Sequence, residues 1–170
     1  MTAPLGLALA GLAFAGLVVA DRAEARELRH PEQGTPAFTL QVPDDWRYEV
    51  DPDKNLIVTS ADASTSMVFT WGSFSGDLET AAKLMLKVAN ATPPTGKTAT
   101  AISGQPGYSF ESTMKVESKS MQLRMAIVRV GERGFGSGTR IELDSNTPQQ
   151  RQRADTVMRS IAIVGATQPR

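Results

Sequence analysis

From Lys97 to Leu143 the chain repeats one device three times: a long alternating run, a short turn rich in Gly or Ser, and another run. "KTATAIS" leads through "GQPG" into "YSFESTMKV", "ESKS" leads into "MQLRMAIVRV", and "GERG" leads into "FGSGTRIEL". Period-two runs joined by connections this short can only fold back on one another, which makes an antiparallel meander. In "MQLRMAIVRV", Met121, Leu123, Met125 and Ile127 point one way. Ala126, Val128 and Val130 on the other side are apolar as well. A strand apolar on both sides is covered on both faces, so the pattern predicts helices on the second face.

Two segments change period and supply those helices. In "SGDLETAAKLMLKVANATPP", Leu78, Ala81, Ala82, Met85, Val88 and Ala89 fall on one helical stripe. Asp77 or Ser75 caps its start, and Asn90 with Pro93-Pro94 stops it. In "NTPQQRQRADTVMRSIAIV", Thr147 caps, Pro148 opens the helix and Gln150 completes a capping box. Ala154, Val157, Met158 and Ile161 form the buried stripe, and Asp155 is spaced to pair with Arg151 and Arg159.

Upstream, "FTLQV" alternates as a half-buried strand until Pro43, which cannot donate to a ladder. "PDDW" supplies turn chemistry, and Trp46 folds back over the core. "RYEV", the turn "DPDKN" and "LIVTSA" follow, then "SMVFTWGSF", in which Met67, Phe69 and Trp71 share a face. The expected class is α+β: an antiparallel sheet of about six to seven strands with two main helices.

The N-terminus reads differently. Residues 4 to 20, "PLGLALAGLAFAGLVVA", carry no charge and are rich in Ala, Leu and Gly. The run is at the short limit for a membrane span and fits the core of a secretory signal peptide, although no Lys or Arg precedes it. Small residues at Ala23 and Ala25 place signal-peptidase cleavage after Ala25. Val18-Val19-Ala20 is a second cleavage site, and an uncleaved N-terminal membrane anchor is the alternative. The expected organisation is a signal peptide over 1–25, a polar unpatterned tail over 26–36, one domain over 37–164 and a frayed end over 165–170.

The order of these elements resembles the PsbP-like superfamily, which includes bacterial DcrB-like envelope proteins and a eukaryotic nuclear-import factor that binds a small GTPase. "FTLQVPDDW", "DPDKN", "ISGQPGYSF" and "ADTVMRSIAI" carry the resemblance, spanning residues 38 to 163. It implies an α/β/α sandwich around an antiparallel sheet and a role in binding or assembly. The superfamily shares no catalytic residues, so none are carried over.

Composition narrows the chemistry. Lysine plus arginine equals aspartate plus glutamate, at 18 each, so no summed field draws in nucleic acid. Without cysteine there is no disulfide, thiolate nucleophile or thiolate metal site. A single histidine, His30, excludes a histidine triad plus any multi-histidine metal site within one chain. No cofactor is expected. Ser118-Lys119-Ser120 reads as a hairpin turn rather than a Ser-Lys dyad. "GFGSG" lacks the following helix that a phosphate loop needs, so its glycines read as hairpin residues. Asp51, Asp53 and Asn55 lack the glycine and glutamate of a calcium loop, so "DPDKN" is a plain turn. Glu79, Glu111, Glu117, Glu142 and Asp144 are the carboxylates from which a hydrolytic pair could be drawn, with no spacing that singles out two of them.

The leading expectation is a periplasmic or secreted, non-enzymatic protein that binds another envelope or secreted protein, with no stable membrane insertion once the leader is removed. Trp71 and Phe74, beside a Gly/Ser loop, are the candidate partner-binding aromatics. Their ordinary alternative is to cap the core. The alternative function is a small-molecule or lipid carrier, with a cavity between sheet and helix lined by Met67, Met85, Met114, Met121, Met125 and Met158. An envelope hydrolase is a third.

Overall fold

The alternation of "FTLQV" becomes a strand whose Phe38, Leu40 and Val42 are all buried. The structure, a computed structural model, describes residues 24–33, 37–94 and 96–164. The leader, apart from Glu24 and Ala25, and residues 165–170 lie outside the described residues. In chain order the elements are β1 (Ala25–His30), β2 (Phe38–Pro43), β3 (Arg47–Val50), β4 (Leu56–Thr59), β5 (Thr65–Ser73), α1 (Leu78–Val88), β6 (Thr98–Ile102), β7 (Gln105–Val116), β8 (Lys119–Val130), β9 (Gly134–Leu143), α2 (Pro148–Arg159) and β10 (Ala162–Ile163).

The expected meander is present and supplies four strands of a seven-stranded antiparallel sheet ordered β3-β4-β5-β9-β8-β7-β6. A second sheet, ordered β1-β2-β10, was not expected. Cross-strand register separates the two faces of the large sheet. Met67, Phe69 and Trp71 lie opposite Arg140, Gly138 and Gly136, while Val68 and Met125 both lie opposite Thr139. The Phe69 face packs against the small sheet and α2, in a core of Leu40, Val42, Trp46, Val58, Met67 and Val157. The opposite face carries Phe110, Leu123, Met125 and Ile127, and α1 covers it. The molecule is thus three layers, with α2 sharing its layer with the three-stranded sheet. The second cover predicted over β8 comes partly from that sheet: Val128 lies beside Phe38, Ile161 and Ile163.

Both helix starts follow their sequence signals. Thr80 N–H donates to Asp77 Oδ1 at 2.8 Å, and Thr147 with Gln150 forms the reciprocal capping box. At the end of α1, Asn90 takes φ 54°, while Ala91 N–H reaches Leu86 O and Asn90 N–H reaches Lys87 O. The α1 stripe is rotated from its expected position: Leu86 is buried, and Val88 is 76% exposed.

Three local expectations are corrected. The turn after β6 is Ser103-Gly104 rather than "GQPG". Register pairs Ile102 with Gln105, and both turn residues have positive φ, 50° and 76°, as a two-residue hairpin requires. Pro106 is tolerated inside β7 because the β7–β8 ladder begins only at Gly107. Residues 26–36 are not an unpatterned tail: residues 25–30 are β1, paired from Ala25↔Pro43 to His30↔Phe38. Its inward positions are Arg26, Leu28 and His30, of which only Leu28 is aliphatic, so no hydrophobic alternation marks it. Finally, Gly136 and Gly138 of "GFGSG" are not hairpin residues. A Cβ on Gly136 would lie 3.3 Å from the Trp71 ring, and one on Gly138 would lie 3.3 Å from Phe69 and 3.0 Å from Met158. They are small so that two aromatic side chains can lie across β9.

A charged cluster is closed in between β9 and α2. Arg140 is 3% exposed and Glu142 1%. Arg140 Nη2 donates to Glu142 Oε1 at 3.1 Å, its Nη1 pairs with Asp155, and Arg151 Nη1 lies 3.6 Å from Glu142 Oε1. The partners expected for Asp155 along its own helix are therefore replaced by a partner across the core.

Candidate functional site

The corner where β2 turns into β3 collects the side chains best suited to recognition. Pro43 ends the ladder, Trp46 N–H donates to Pro43 O at 2.9 Å to close the turn, and the indole goes inward to 3% exposure. Arg26 of β1 reaches across to donate from Nη2 to Trp46 O at 2.7 Å, with its guanidinium 5.2 Å from the Tyr48 ring centroid. From α2, Arg153 donates to Asp45 Oδ1 at 2.6 Å and stands 6.0 Å from the Trp46 ring. Arg153 thus lies over the anchored indole and Arg26 over the Tyr48 ring, each in cation–π geometry.

Adjoining depressions surround the corner. One of about 630 Å³ is lined by Arg26, Trp46, Arg47, Tyr48 and Asp45 among others. A second of about 540 Å³ is lined by Glu24, Asp44, Asp45, Gln152 and Arg153. A third of about 210 Å³ lies between Trp46, Asp62, Ser64, Gln150 and Arg153. Beside them β3 is an edge of the large sheet, exposed along its whole length, with Tyr48 at 46% and Val50 at 51% exposure. Arg47 and Glu49 alternate with these two side chains, so the edge carries Tyr48 and Val50 on one face and the charged pair on the other.

Asp62 organises the wall of the third depression. Its Oδ1 accepts from Ser64 N–H at 3.0 Å and from the Ser60 hydroxyl at 2.7 Å, and Gln150 donates to Oδ2. These donors, the Ser64 N–H foremost, hold its carboxyl well below the ordinary 3.8. Because the unfolded chain takes up this proton at a higher pH than the folded one, the bonds contribute stability above that range and lose it as pH falls. Asp62→Asn is expected to flatten the acid limb. In urea titrations, the stability difference between wild type and variant shrinks from about pH 6 towards about pH 2. A difference that stays constant with pH would show that the carboxylate is not held in this way.

The structure separates the residues selected from sequence. Trp71 and Phe74 are each half-buried: Trp71 packs on the core beneath α2, Phe74 on the core beneath α1. They lie on opposite sides of the large sheet and form no joint patch, so both take the core-capping place. The methionine cavity does not form. Met67 and Met158 belong to one core, and Met85, Met114 and Met125 to the other. With the sheet between these groups, no single cavity can be lined by the full set.

Several of the remaining candidates have structural partners. His30 is 7% exposed, with Nε2 2.7 Å from Lys54 O and its ring 5.2 Å from that of Phe38. Asp51 spends both carboxylate oxygens on Asn55, each at 2.8 Å, which makes "DPDKN" a closed turn. Among the described residues no group of three His, Asp or Glu side chains could hold a metal ion. Glu79 pairs with Lys83 and Lys97, Glu111 with Arg124 and Glu142 with Arg140. Ser118 sits in the β7–β8 hairpin turn at φ 70°. Among the described residues no helix is long and apolar enough to cross a membrane.

Similarity to known proteins is confined to structure. No family model matches the chain, and no curated protein matches it in sequence. The chain superposes on LpqN of Mycobacterium tuberculosis, a protein involved in cell envelope biogenesis, with a TM-score of 0.56 at 17% identity, over 82% of this chain and 90% of LpqN. It superposes on CyanoP, the cyanobacterial PsbP of Synechocystis sp. PCC 6803, with a TM-score of 0.61 at 11% identity, over 91% and 98% of the two chains. A Bacteroides thetaiotaomicron protein is similar with a TM-score of 0.53 at 12% identity, over 75% of this chain and 45% of its own. The fold is therefore PsbP-like, as its sequence pattern predicts.

Proposed function

We propose that this PsbP-like protein is an exported, non-catalytic binding protein of the cell envelope, and that its partner protein docks at the Trp46 corner and along the β3 edge. One observation carries the reading: Trp46, Tyr48, Arg26 and Arg153 converge on adjoining depressions beside an exposed edge strand. Trp, Tyr and Arg are the residue types that dominate protein interfaces when they cluster around a desolvated centre. The hydrophobic leader and the structural likeness to LpqN support an envelope setting.

A photo-crosslinking amino acid at Tyr48 tests this in cells of the native host. The expected result is one discrete adduct from Tyr48 and none from the control position Val88, on the outer side of α1. Arg153→Glu, which turns the pair with Asp45 repulsive, is expected to cut the Tyr48 adduct about tenfold, the effect of losing ~1.4 kcal/mol of binding. Equal adducts at both positions, or none at Tyr48, would refute the docking surface.

A further inference from the structure

The free rim of β3 presents backbone as well as side chains. Asp51 N–H donates to Asn55 O at 3.0 Å, and these two residues face each other in the register that continues Val50↔Leu56. In an antiparallel pair, hydrogen-bonded and non-hydrogen-bonded positions alternate. Glu49 and Arg47 therefore bond to β4 as Asp51 does, while Val50 and Tyr48 direct N–H and C=O away from it. Trp46, next in that outward series, is already closed: its N–H goes to Pro43 O, and its C=O accepts from Arg26 Nη2. Among the described residues no strand pairs with the outer side of β3, which leaves the donors and acceptors of Tyr48 and Val50 in one open row. Side chains are exposed on both faces of this rim, Tyr48 and Val50 on one, Arg47 and Glu49 on the other. A flat surface meets one face of a rim; a strand that continues the sheet meets both. The opposite rim, β6, reads Thr-Ala-Thr-Ala-Ile and has neither charge nor ring to select a partner.

We propose that the partner engages this rim with an extended segment that pairs antiparallel with β3 as an added strand. This rests on the docking reading above and specifies the partner's chemistry. In that pairing Tyr48 and Val50 each donate one backbone hydrogen bond to the incoming segment and accept one from it. Segment residues opposite Tyr48 and Val50 share their face, so they are apolar or aromatic. Those opposite Arg47 and Glu49 share the other face and meet a cation and an anion directly, so they are acidic and basic. From N- to C-terminus the segment therefore runs apolar, basic, apolar, acidic. The reverse order of charge sets like charges opposite one another and is rejected. Arg26 on Trp46 O closes one end of the row, and the Asp51–Asn55 turn closes the other. The added strand is thus short, and the Trp46 corner supplies the rest of the contact.

The test keeps the photo-crosslinking amino acid at Tyr48, in the full-length chain in its native host, and adds Val50→Pro or Val50→Ala. Proline removes an N–H that β4 does not use, so Val50→Pro is expected to unfold in urea near the midpoint of Val50→Ala. It is expected to cut the Tyr48 adduct about tenfold relative to Val50→Ala, the effect of losing one interfacial hydrogen bond. Exchanging the charges, Arg47→Glu with Glu49→Arg, keeps every backbone N–H and is expected to lower the adduct by a similar factor. Equal adducts from Val50→Pro and Val50→Ala, or a Val50→Pro midpoint far below its control, overturn strand addition while leaving the docking surface in place. An adduct unchanged by the charge exchange overturns the assigned charge pattern. An adduct with the mass of two copies of this chain overturns the proposal in favour of self-pairing. No Tyr48 adduct from the otherwise unaltered chain overturns it together with the docking reading.

Discussion

Phe69→Ala is expected to lower the unfolding free energy by about 3–5 kcal/mol, the range for removing a fully buried phenylalanine. Phe69 is 1% exposed and lies across Gly138 of the neighbouring strand, with the Phe38 ring 5.9 Å away and tilted by 45°. The small sheet, the large sheet and α2 meet at this ring, so the cavity left by alanine has walls on every side and little room to collapse. The same geometry makes a companion prediction. Gly138→Ala puts a methyl 3.0 Å from Met158 and 3.3 Å from Phe69, an overpacking worth about 1–3 kcal/mol. Phe69→Leu with Gly138→Ala moves volume across the strand pair, so the double change is expected to cost less than the sum of the singles. Urea unfolding of wild type, Phe69→Ala, Phe69→Leu, Gly138→Ala and the double variant measures this. Additive costs, or a Phe69→Ala loss near zero, would mean that the ring does not span the two strands as described.

Arg140→Ala carries the other large effect, again about 3–5 kcal/mol, for an electrostatic reason. It leaves Glu142, 1% exposed, with only Arg151 at 3.6 Å, and removes the cross-core partner of Asp155. A buried carboxylate stripped of its main cation costs far more than the pair gained, because desolvation of the charge is no longer offset. Arg140→Met combined with Glu142→Leu removes both charges, so it is expected to recover most of the loss. Guanidinium chloride at neutral pH separates the outcomes. A double variant as unstable as Arg140→Ala would show that the cluster acts through shape rather than charge.

How much of this was legible depends on how local each determinant is. β2 could be read because Phe38, Leu40 and Val42 are all apolar and all inward. The caps at Asp77 and Thr147 could be read because a cap is a contact three residues long. β1 could not, since Arg26 and His30 hold inward positions through Trp46 O and Lys54 O, acceptors twenty or more residues away. The hairpin at Ser103-Gly104 was displaced by the stronger turn signature of Pro106, although positive φ, not proline, decides a two-residue connection. Val88 and Leu86 both fit a helical stripe, and only the packing against β8 chooses between them.

The candidate site was hidden for a similar reason. Trp71 and Phe74 stood out as aromatics beside a glycine loop, yet each found core beneath it. The Trp46 corner depends on Asp45 meeting Arg153, residues 108 positions apart, and on a strand at the N-terminus that hydrophobic periodicity did not mark. One local signal was present: "DDWRY" sets Arg and Tyr on a short, exposed edge directly after an inward tryptophan, a composition more typical of interfaces than of sheet rims.

The three-stranded sheet has a mechanical corollary. β1 and β10 flank β2, both antiparallel to it, so the chain comes in beside Pro43 and goes out beside Phe38. Tension applied to the two termini drags the flanking strands along β2 in opposite directions. All their backbone bonds then share the load in shear instead of opening one after another like a zipper. The domain would resist a pull on its two ends most firmly along this axis.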